Sequence, residues 1–462
     1  MVAPVPRDRI TEYWDGDSGR RELRWNYDLH SSFTTAAHQI AEAFPAAAAD
    51  LWDIASSCYA VDRRVRRTSA NGGPLGHAWS RDLRVRLAVR VPDLWEGLRR
   101  PLEKLLYWLT CDTWRLEFQD GSAEIPGQHV QLRLTEWPEN RIAALFSGGL
   151  DSTVGLIHDL RRREADCLVS VSVATGSAMR NAQEGVLDGL RARPGTAQLE
   201  SVPFKLHLSP RRNGGERRHD EENTQRTRGL VFLSAGVATA LAAGCPRLRV
   251  YENGIGAINL PCTWGQVGAQ AARPVHPRTI ALMQGVVDEV AAHCGRTLTI
   301  ETPHARRTKA QMIRDVPPEF DQALRASVSC DSGYTYRHRS GDPPHCGGCT
   351  SCLLRRQALI AGGRAEMEAE TSYRETPGSK RDHLPAMLWQ TARLAEALST
   401  DAPWPELVQE FPDLLCVPDA LRESVQDELL GLYREYVREW SLPQVVERLE
   451  PGHSGSVANQ LS

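Results

Sequence analysis

The sequence predicts an α/β protein built on a parallel sheet with helices on both faces, preceded by a mixed α/β region and followed by a helical one. Three observations carry this. From residue 141 onward, short apolar runs alternate with amphipathic segments, the pattern of a doubly wound sheet. One run passes into the next helix through a turn rich in glycine and serine, as an anion-binding turn requires. Beyond residue 362 the apolar residues recur only at helical spacing, punctuated by Pro and Gly.

Residues 1–140 are expected to form an α/β accessory domain. They hold Trp14, Trp25, Trp52, Trp79, Trp95, Trp108, Trp114 and Trp137, which read as core. Residues 48–64 have helical periodicity. Residues 82–91 alternate and predict a strand with Arg on one face. Residues 101–109 predict a helix and 114–118 a short strand. The central domain, 141–361, predicts strands at 142–146, 167–174, 199–208 and 247–251, with helices at 153–163, near 183–190 and at 230–243. Residues 209–228 form a polar loop with six arginines, either a solvated insertion or a lid over an anionic substrate. In 362–462, helical patterns occupy 383–399, 406–410 and 419–440, and the tail 452–462 is expected to be disordered.

Composition limits the function. Of 462 residues, 41% are hydrophobic and 24% charged, which excludes a fully disordered or collagen-like chain. Lys and Arg number 55 against 58 Asp and Glu, a net charge of −3. This balance argues against membrane-surface or direct nucleic-acid binding. The longest mostly apolar stretch, 230–244, contains Ser234 and Thr239 and falls short of the roughly 20 residues of a membrane span. The N-terminus lacks the apolar core of a signal peptide, so a cytoplasmic location is expected, where disulfides are rare. Four of the 11 cysteines nevertheless cluster: Cys330, Cys346, Cys349 and Cys352. In a reducing compartment that pattern points to metal.

The strongest chemical signal is Phe146-Ser147-Gly148-Gly149-Leu150-Asp151-Ser152-Thr153. Two glycines let the backbone turn tightly and approach an anion. The N–H groups of the helix start then face phosphate, and Ser147, Ser152 and Thr153 add hydroxyls. Asp151 is the odd member, since a carboxylate repels phosphate. It fits as a loop-ordering cap or through a bridging Mg²⁺. No Gly-Lys-Ser/Thr follows, so this is not a Walker A loop. The string resembles the signature of PP-loop ATP pyrophosphatases. That resemblance implies an adenine-nucleotide α-hydrolase-like fold and an ATP cleaved between its α and β phosphates, with AMP passing to a substrate oxygen.

The second signal is Cys330 followed by Cys346-Gly347-Gly348-Cys349-Thr350-Ser351-Cys352. Four thiolates suit tetrahedral Zn²⁺, and a closed four-cysteine shell is structural rather than catalytic. His345 is a competing ligand. Together the two motifs resemble QueC, the 7-cyano-7-deazaguanine synthase family, with its late Cys-Gly-x-Cys-x-x-Cys-x-x-Arg at 346–355. Thr308-Lys309-Ala310 is similar to the family's Thr-Lys-Ala segment. By that resemblance Lys309 meets the phosphates, Arg355 joins the catalytic set, and Arg228 opens the family's nucleotide-side helix.

The resemblance covers 141–361, under half of the chain, and the departures are specific. Gly229 follows Arg228 where the family has Asn. In place of the family's substrate segment stands Tyr251-Glu252-Asn253-Gly254-Ile255-Gly256-Ala257-Ile258-Asn259-Leu260-Pro261. Glu252 and Asn253, at the end of a predicted strand, are the candidates for orienting the base or an incoming amine; alternatively they only cap a turn. The long layout resembles the QueC-like proteins of bacterial anti-phage systems, of the Qat and CBASS kind. In that group the resemblance implies that 7-carboxy-7-deazaguanine is adenylated and joined as an amide to a partner protein with a small N-terminal residue. A nitrile-forming synthase, a non-catalytic nucleotide-binding subunit of a defence complex, and a PP-loop enzyme acting on tRNA or sulfate are the alternatives. The implied cofactors are ATP, Mg²⁺ and Zn²⁺.

Overall fold

The computed structural model describes residues 10–16, 19–40, 43–67, 80–121, 137–191, 196–209, 222, 224–262, 272–331, 343–374 and 383–449. The 452–462 tail and most of the arginine-rich loop lie outside the described residues.

The central sheet has six strands in the order Thr299–Glu301, Arg247–Arg249, Arg141–Leu145, Cys167–Ala174, Gln198–Leu208 and Leu29–Ser31. Every pairing is parallel except the last. Cys167–Ala174 is buried along its whole length, so Ser170 and Ser172, which alternate with Val169, Val171 and Val173, face the interior as well. Strand order reverses at Arg141–Leu145. The chain first moves to Cys167–Ala174 on one side and later to Arg247–Arg249 on the other. Such a reversal opens a crevice beyond the carboxyl end of the strand, and the glycine turn leaves from that end.

Element boundaries differ from expectation for identifiable reasons. The helix expected at 153–163 is Leu150–Arg162, because Gly149 supplies the extended N-cap (φ −82°, ψ 170°) three residues earlier. The helix expected near 183–190 is Ser177–Arg191, with only its apolar stripe lying in the expected window. The strand expected at 247–251 ends at Arg249, and Tyr251 instead directs its hydroxyl to Asp159. The edge strand Leu29–Ser31 pairs antiparallel with Gln198–Leu208 through Leu29↔Leu208 and Ser31↔Leu206. At three residues it is too short to carry a period.

A second, four-stranded sheet has the order Arg21–Arg24, Ile10–Asp15, Asp82–Val89 and Thr113–Asp120. Leu83, Val85, Leu87 and Val89 face the core. The arginine face is neutralised locally, since Arg84 and Arg86 pair with Glu117, and Arg86 also with Glu12. Helices Ala46–Arg64 and Pro92–Thr110 join this sheet to the central one in a shared core. Trp52 and Trp95 are fully buried, and the Trp95 indole donates to Asp50 at 3.0 Å, as a buried indole N–H requires a partner. Trp108 donates to Thr279 Oγ1 at 2.9 Å, with the guanidinium groups of Arg273 and Arg278 4.1 and 4.6 Å from its ring.

The helices Leu384–Leu398, Pro403–Glu410, Glu423–Trp440 and Pro443–Leu449 pack into the same core as the helix after the glycine turn. Among the described residues, no helix is long and apolar enough to cross a membrane.

Candidate active site

The turn 146–149 leaves the carboxyl end of Arg141–Leu145 and enters Leu150–Arg162. Gly148 has φ +82°, a conformation open to glycine and strained for other residues. Its carbonyl accepts from Val328 N–H at 2.9 Å. The Gly149 N–H donates to Ser147 Oγ at 3.2 Å, and the Leu150 N–H to Ser329 Oγ at 3.0 Å. Two N–H groups at a helix start are thus met by hydroxyl oxygens, the kind of acceptor a phosphate oxygen replaces. Ser147 and Ser152 hydroxyls lie 3.1 Å apart, while Thr153 Oγ1 donates to Gly149 O at 2.8 Å. Gln183, from the next helix, supports the turn by donating to Ser147 O at 3.2 Å.

Gly148→Ala tests the turn. An added Cβ would sit 3.0 Å from Gln183 Cγ, and the left-handed backbone adds about 1–2 kcal/mol of strain. The expected result is a lower melting temperature together with weaker ATP binding. Unchanged ATP affinity would separate this turn from the phosphates.

Four predicted site residues meet beside the turn. Asp151 is in an ion pair with Lys309, the first residue of the helix Lys309–Arg314. Asn253 Nδ2 lies 3.4 Å from Asp151 Oδ2 and donates to Glu252 Oε1 at 3.0 Å. Asn253 also caps the short helix Gly254–Ile258 by accepting the Gly256 N–H at 3.0 Å. Capping and site-facing geometry therefore coexist in one amide. Burial pushes the Glu252 carboxyl well above the usual carboxylate range; the Asp151 charge adds to this and Lys309 opposes it. A carboxyl so raised is a stronger proton acceptor than an ordinary carboxylate.

Asp151 Oδ1 is buried and has no protein partner among the described residues. An orphaned carboxylate oxygen beside a phosphate-type turn suits a hard cation such as Mg²⁺.

The four cysteines are buried, and their sulfurs all lie within 4.8 Å of one another. Cys346 and Cys352 sulfurs are 3.9 Å apart. Tetrahedral zinc with bonds of about 2.3 Å requires sulfur separations of about 3.8 Å, so the donor set fits. Without a cation, hydrogen bonding among the thiols and then burial push Cys349 upward; a bound dication reverses that. N–H groups of Cys346 and Cys349 approach Cys330 and Cys346 sulfurs at 3.4 and 3.3 Å, the outer-shell support expected of a thiolate centre. His345 is outside this set: its Nε2 accepts the Ser329 N–H at 3.3 Å. Burial, then the Arg355 charge, lowers it to about 3, keeping the ring neutral for that role.

Arg355 is brought not to the turn but to the strap beneath it. It is fully buried, donating from Nη1 to Ser327 Oγ at 2.7 Å and from Nη2 to Leu324 O at 2.8 Å. The strap 327–329 is the segment whose Val328 and Ser329 hold Gly148 and Leu150, and Cys330 follows it. Arg228 opens the helix Arg228–Ala243, with its guanidinium 5.3 Å over Phe232 and Nη2 3.7 Å from Met179 Sδ. Sequence reasoning missed Gln183 and Ser329, which support the turn. Thr308 carried a readable signal, a Thr-x-x-Gln capping box over 308–311.

A glycine turn at the switch point of a parallel α/β sheet, with a four-cysteine cluster behind it, defines the class: an ATP-using PP-loop protein. The model of the family described as "Queuosine biosynthesis protein QueC" matches residues 275–363. The 7-cyano-7-deazaguanine synthase of Porphyromonas gingivalis strain W83 is 30% identical over 229 residues, covering 47% of this chain and 92% of that protein. The synthase of that name from Pelobacter propionicus is 24% identical over 243 residues, 49% and 95% of the two chains. That from Acinetobacter baylyi is 26% identical over 234 residues, 48% and 92%. The chain belongs to the QueC family, and about half of it has no counterpart in these relatives.

Proposed function

We propose that this chain uses ATP to adenylate the carboxylate of 7-carboxy-7-deazaguanine and transfers the acyl group to the N-terminal amine of a partner protein, in a bacterial anti-phage defence system. QueC membership supports an ATP-utilising activity of 7-deazaguanine chemistry. The observation that carries the finer reading is the altered segment 251–261, whose Glu252 and Asn253 meet Asp151 beside the turn. The added half of the chain offers the surface that a protein acceptor needs and ammonia does not.

The chemistry follows from the groups available. A carboxylate oxygen of the substrate attacks the α-phosphorus; the bond to the β-phosphate oxygen breaks and pyrophosphate leaves. The turn N–H groups, the Ser147, Ser152 and Thr153 hydroxyls and the Lys309 ammonium stabilise the phosphate charge. Mg²⁺ at Asp151 would add Lewis-acid neutralisation of the leaving group. The amine nitrogen then attacks the acyl carbon, the bond to AMP breaks, and the amine gives up a proton, for which Glu252 is the nearby acceptor in its ionised form. Attack needs a neutral amine. An α-amino group, with a pKa near about 8, supplies more of it at pH 7 than lysine near about 10.4.

A nitrile-forming synthase is the second reading, favoured by the coverage of at least 92% of each synthase named above. Two measurements separate them. Pyrophosphate release on adding 7-carboxy-7-deazaguanine is expected under both. Intact-mass analysis of a co-expressed partner is expected to show one added deazaguanine acyl group at residue one. Free 7-cyano-7-deazaguanine with an unmodified partner would identify a synthase.

A further inference from the structure

The family match ends at residue 363, yet the helix Glu423–Trp440 reaches the segment that presents Lys309. Glu439 on this helix is fully buried. Its Oε1 accepts the Thr308 hydroxyl at 2.7 Å and Arg314 Nη2 at 3.0 Å, and its Oε2 lies 3.4 Å from Gln357 Nε2. Thr308 is the N-cap of Lys309–Arg314: its Oγ1 accepts the Gln311 N–H at 3.1 Å, and Gln311 Oε1 accepts the Thr308 N–H at 2.9 Å. A hydroxyl has one proton. Glu439 takes it, which aims an oxygen lone pair at the helix start and holds the cap in its working orientation. Lys309 is the next residue, and its ammonium meets Asp151.

A helix of six residues cannot hold itself, since isolated helices below about 12–15 residues are marginal. Its placement must come from what packs on it. The C-terminal helix also braces the other flank of the site. A Cβ on Gly254 would lie 2.6 Å from Leu432 Cδ2 and 2.5 Å from Ala305 O, and Arg306 pairs with Glu428 at 2.6 Å. Burial raises the Glu439 carboxyl to about 7; Glu435 adds to this, and Thr308, Gln357 and Arg314 oppose it. A group so costly to bury is matched by three partners on two other segments, Thr308 and Arg314 on one and Gln357 on the other.

We propose that Glu439 is a positioning residue that sets Lys309 at the phosphate turn through Thr308, which makes the C-terminal helices part of the nucleotide site. The functional meaning rests on the reading of Lys309 as a phosphate ligand; the positioning does not.

The test labels the full-length, metal-loaded protein briefly with acetic anhydride and reads lysine acetylation by peptide mass spectrometry. Lys104 and Lys205 are exposed and serve as internal references. Lys309, ion-paired and with only 11% of its side chain exposed, is expected to react slowly in the wild type. Glu439→Ala is expected to raise its relative reactivity about fivefold, the effect of one weakened helix cap. Glu439→Gln, which keeps an acceptor for Thr308, is expected to restore most of the protection. ATP affinity should fall in Glu439→Ala but not fall further when the same change is made in a Lys309→Ala background. If Glu439→Ala fails to fold, Glu439→Asp, one methylene shorter, draws the carboxylate away from Thr308 while leaving the cap hydroxyl in place and is read identically. Unchanged Lys309 reactivity in a folded variant overturns the proposal. If wild-type protein releases no pyrophosphate with 7-carboxy-7-deazaguanine, the functional reading fails while the labelling result still decides the role of Glu439.

Discussion

Lys309→Ala and Asp151→Ala are each expected to reduce substrate-dependent pyrophosphate release by at least about 10²–10³-fold, the usual loss when one preorganised charge is removed from a transition state. The reason lies in how three charges share the crevice. Lys309 pairs with Asp151, and its charge opposes the rise of the Glu252 carboxyl. Removing Lys309 deletes the cation proposed to meet the phosphates and leaves two carboxyl groups facing each other. Glu252 answers by holding its proton more tightly, so the charge imbalance is relieved without unfolding. Removing Asp151 takes away the carboxylate whose free oxygen suits Mg²⁺ and leaves Lys309 without its resting partner. Both variants are therefore expected to keep their circular dichroism spectrum and their metal content. Wild-type pyrophosphate release by either variant would exclude that residue from the reaction.

Cys349→Ser is expected to act in the opposite order, on the metal and the fold first and on chemistry only through them. A serine hydroxyl is a poor replacement for a thiolate at a soft site, and three ligands remain for a centre that closes with four. In small zinc modules metal binding supplies on the order of 10 kcal/mol of folding free energy, and less in a large domain with its own core. The expected observations are a loss of the zinc proposed for the four-cysteine cluster and reduced soluble yield. ATP affinity should follow the metal. Cys330 adjoins Ser329, which accepts the Leu150 N–H, and His345 accepts the Ser329 N–H one residue before Cys346. The cysteine cluster thus anchors the Ser329 end of the strap that supports the glycine turn. Metal analysis of purified wild-type protein finding no zinc would remove this assignment.

The segments most legible in the sequence are those whose information is local. The string at 146–153 spells a turn and a helix start within eight neighbouring residues, and its glycines have no other economical use. The cysteines announce a metal site because sulfur ligands at two-residue gaps can reach one ion. Cys167–Ala174 reads as a strand because both its faces are buried, so eight consecutive residues carry the signal. Family resemblance extended this reading to Lys309, a single lysine with no local pattern to distinguish it.

Other features were decided only when distant segments met. Leu29–Ser31 has no period of its own and becomes a strand because the edge of Gln198–Leu208 offers it a ladder. Arg355 enters the candidate site by family resemblance alone, and only the fold shows its Nη1 and Nη2 donating to Ser327 and Leu324. Ser329 is an unremarked serine until Leu150 arrives 179 positions away in sequence. Glu439 sits in a helix whose other charged residues mostly face solvent, and only the packing of Glu423–Trp440 turns it toward Thr308, 131 positions earlier. Short-range patterns determine which segments become helix, strand or turn, because the forces that select them act over a few residues. The partner of a polar side chain is chosen by burial, which penalises any donor or acceptor left alone, and that choice exists only once the chain has folded.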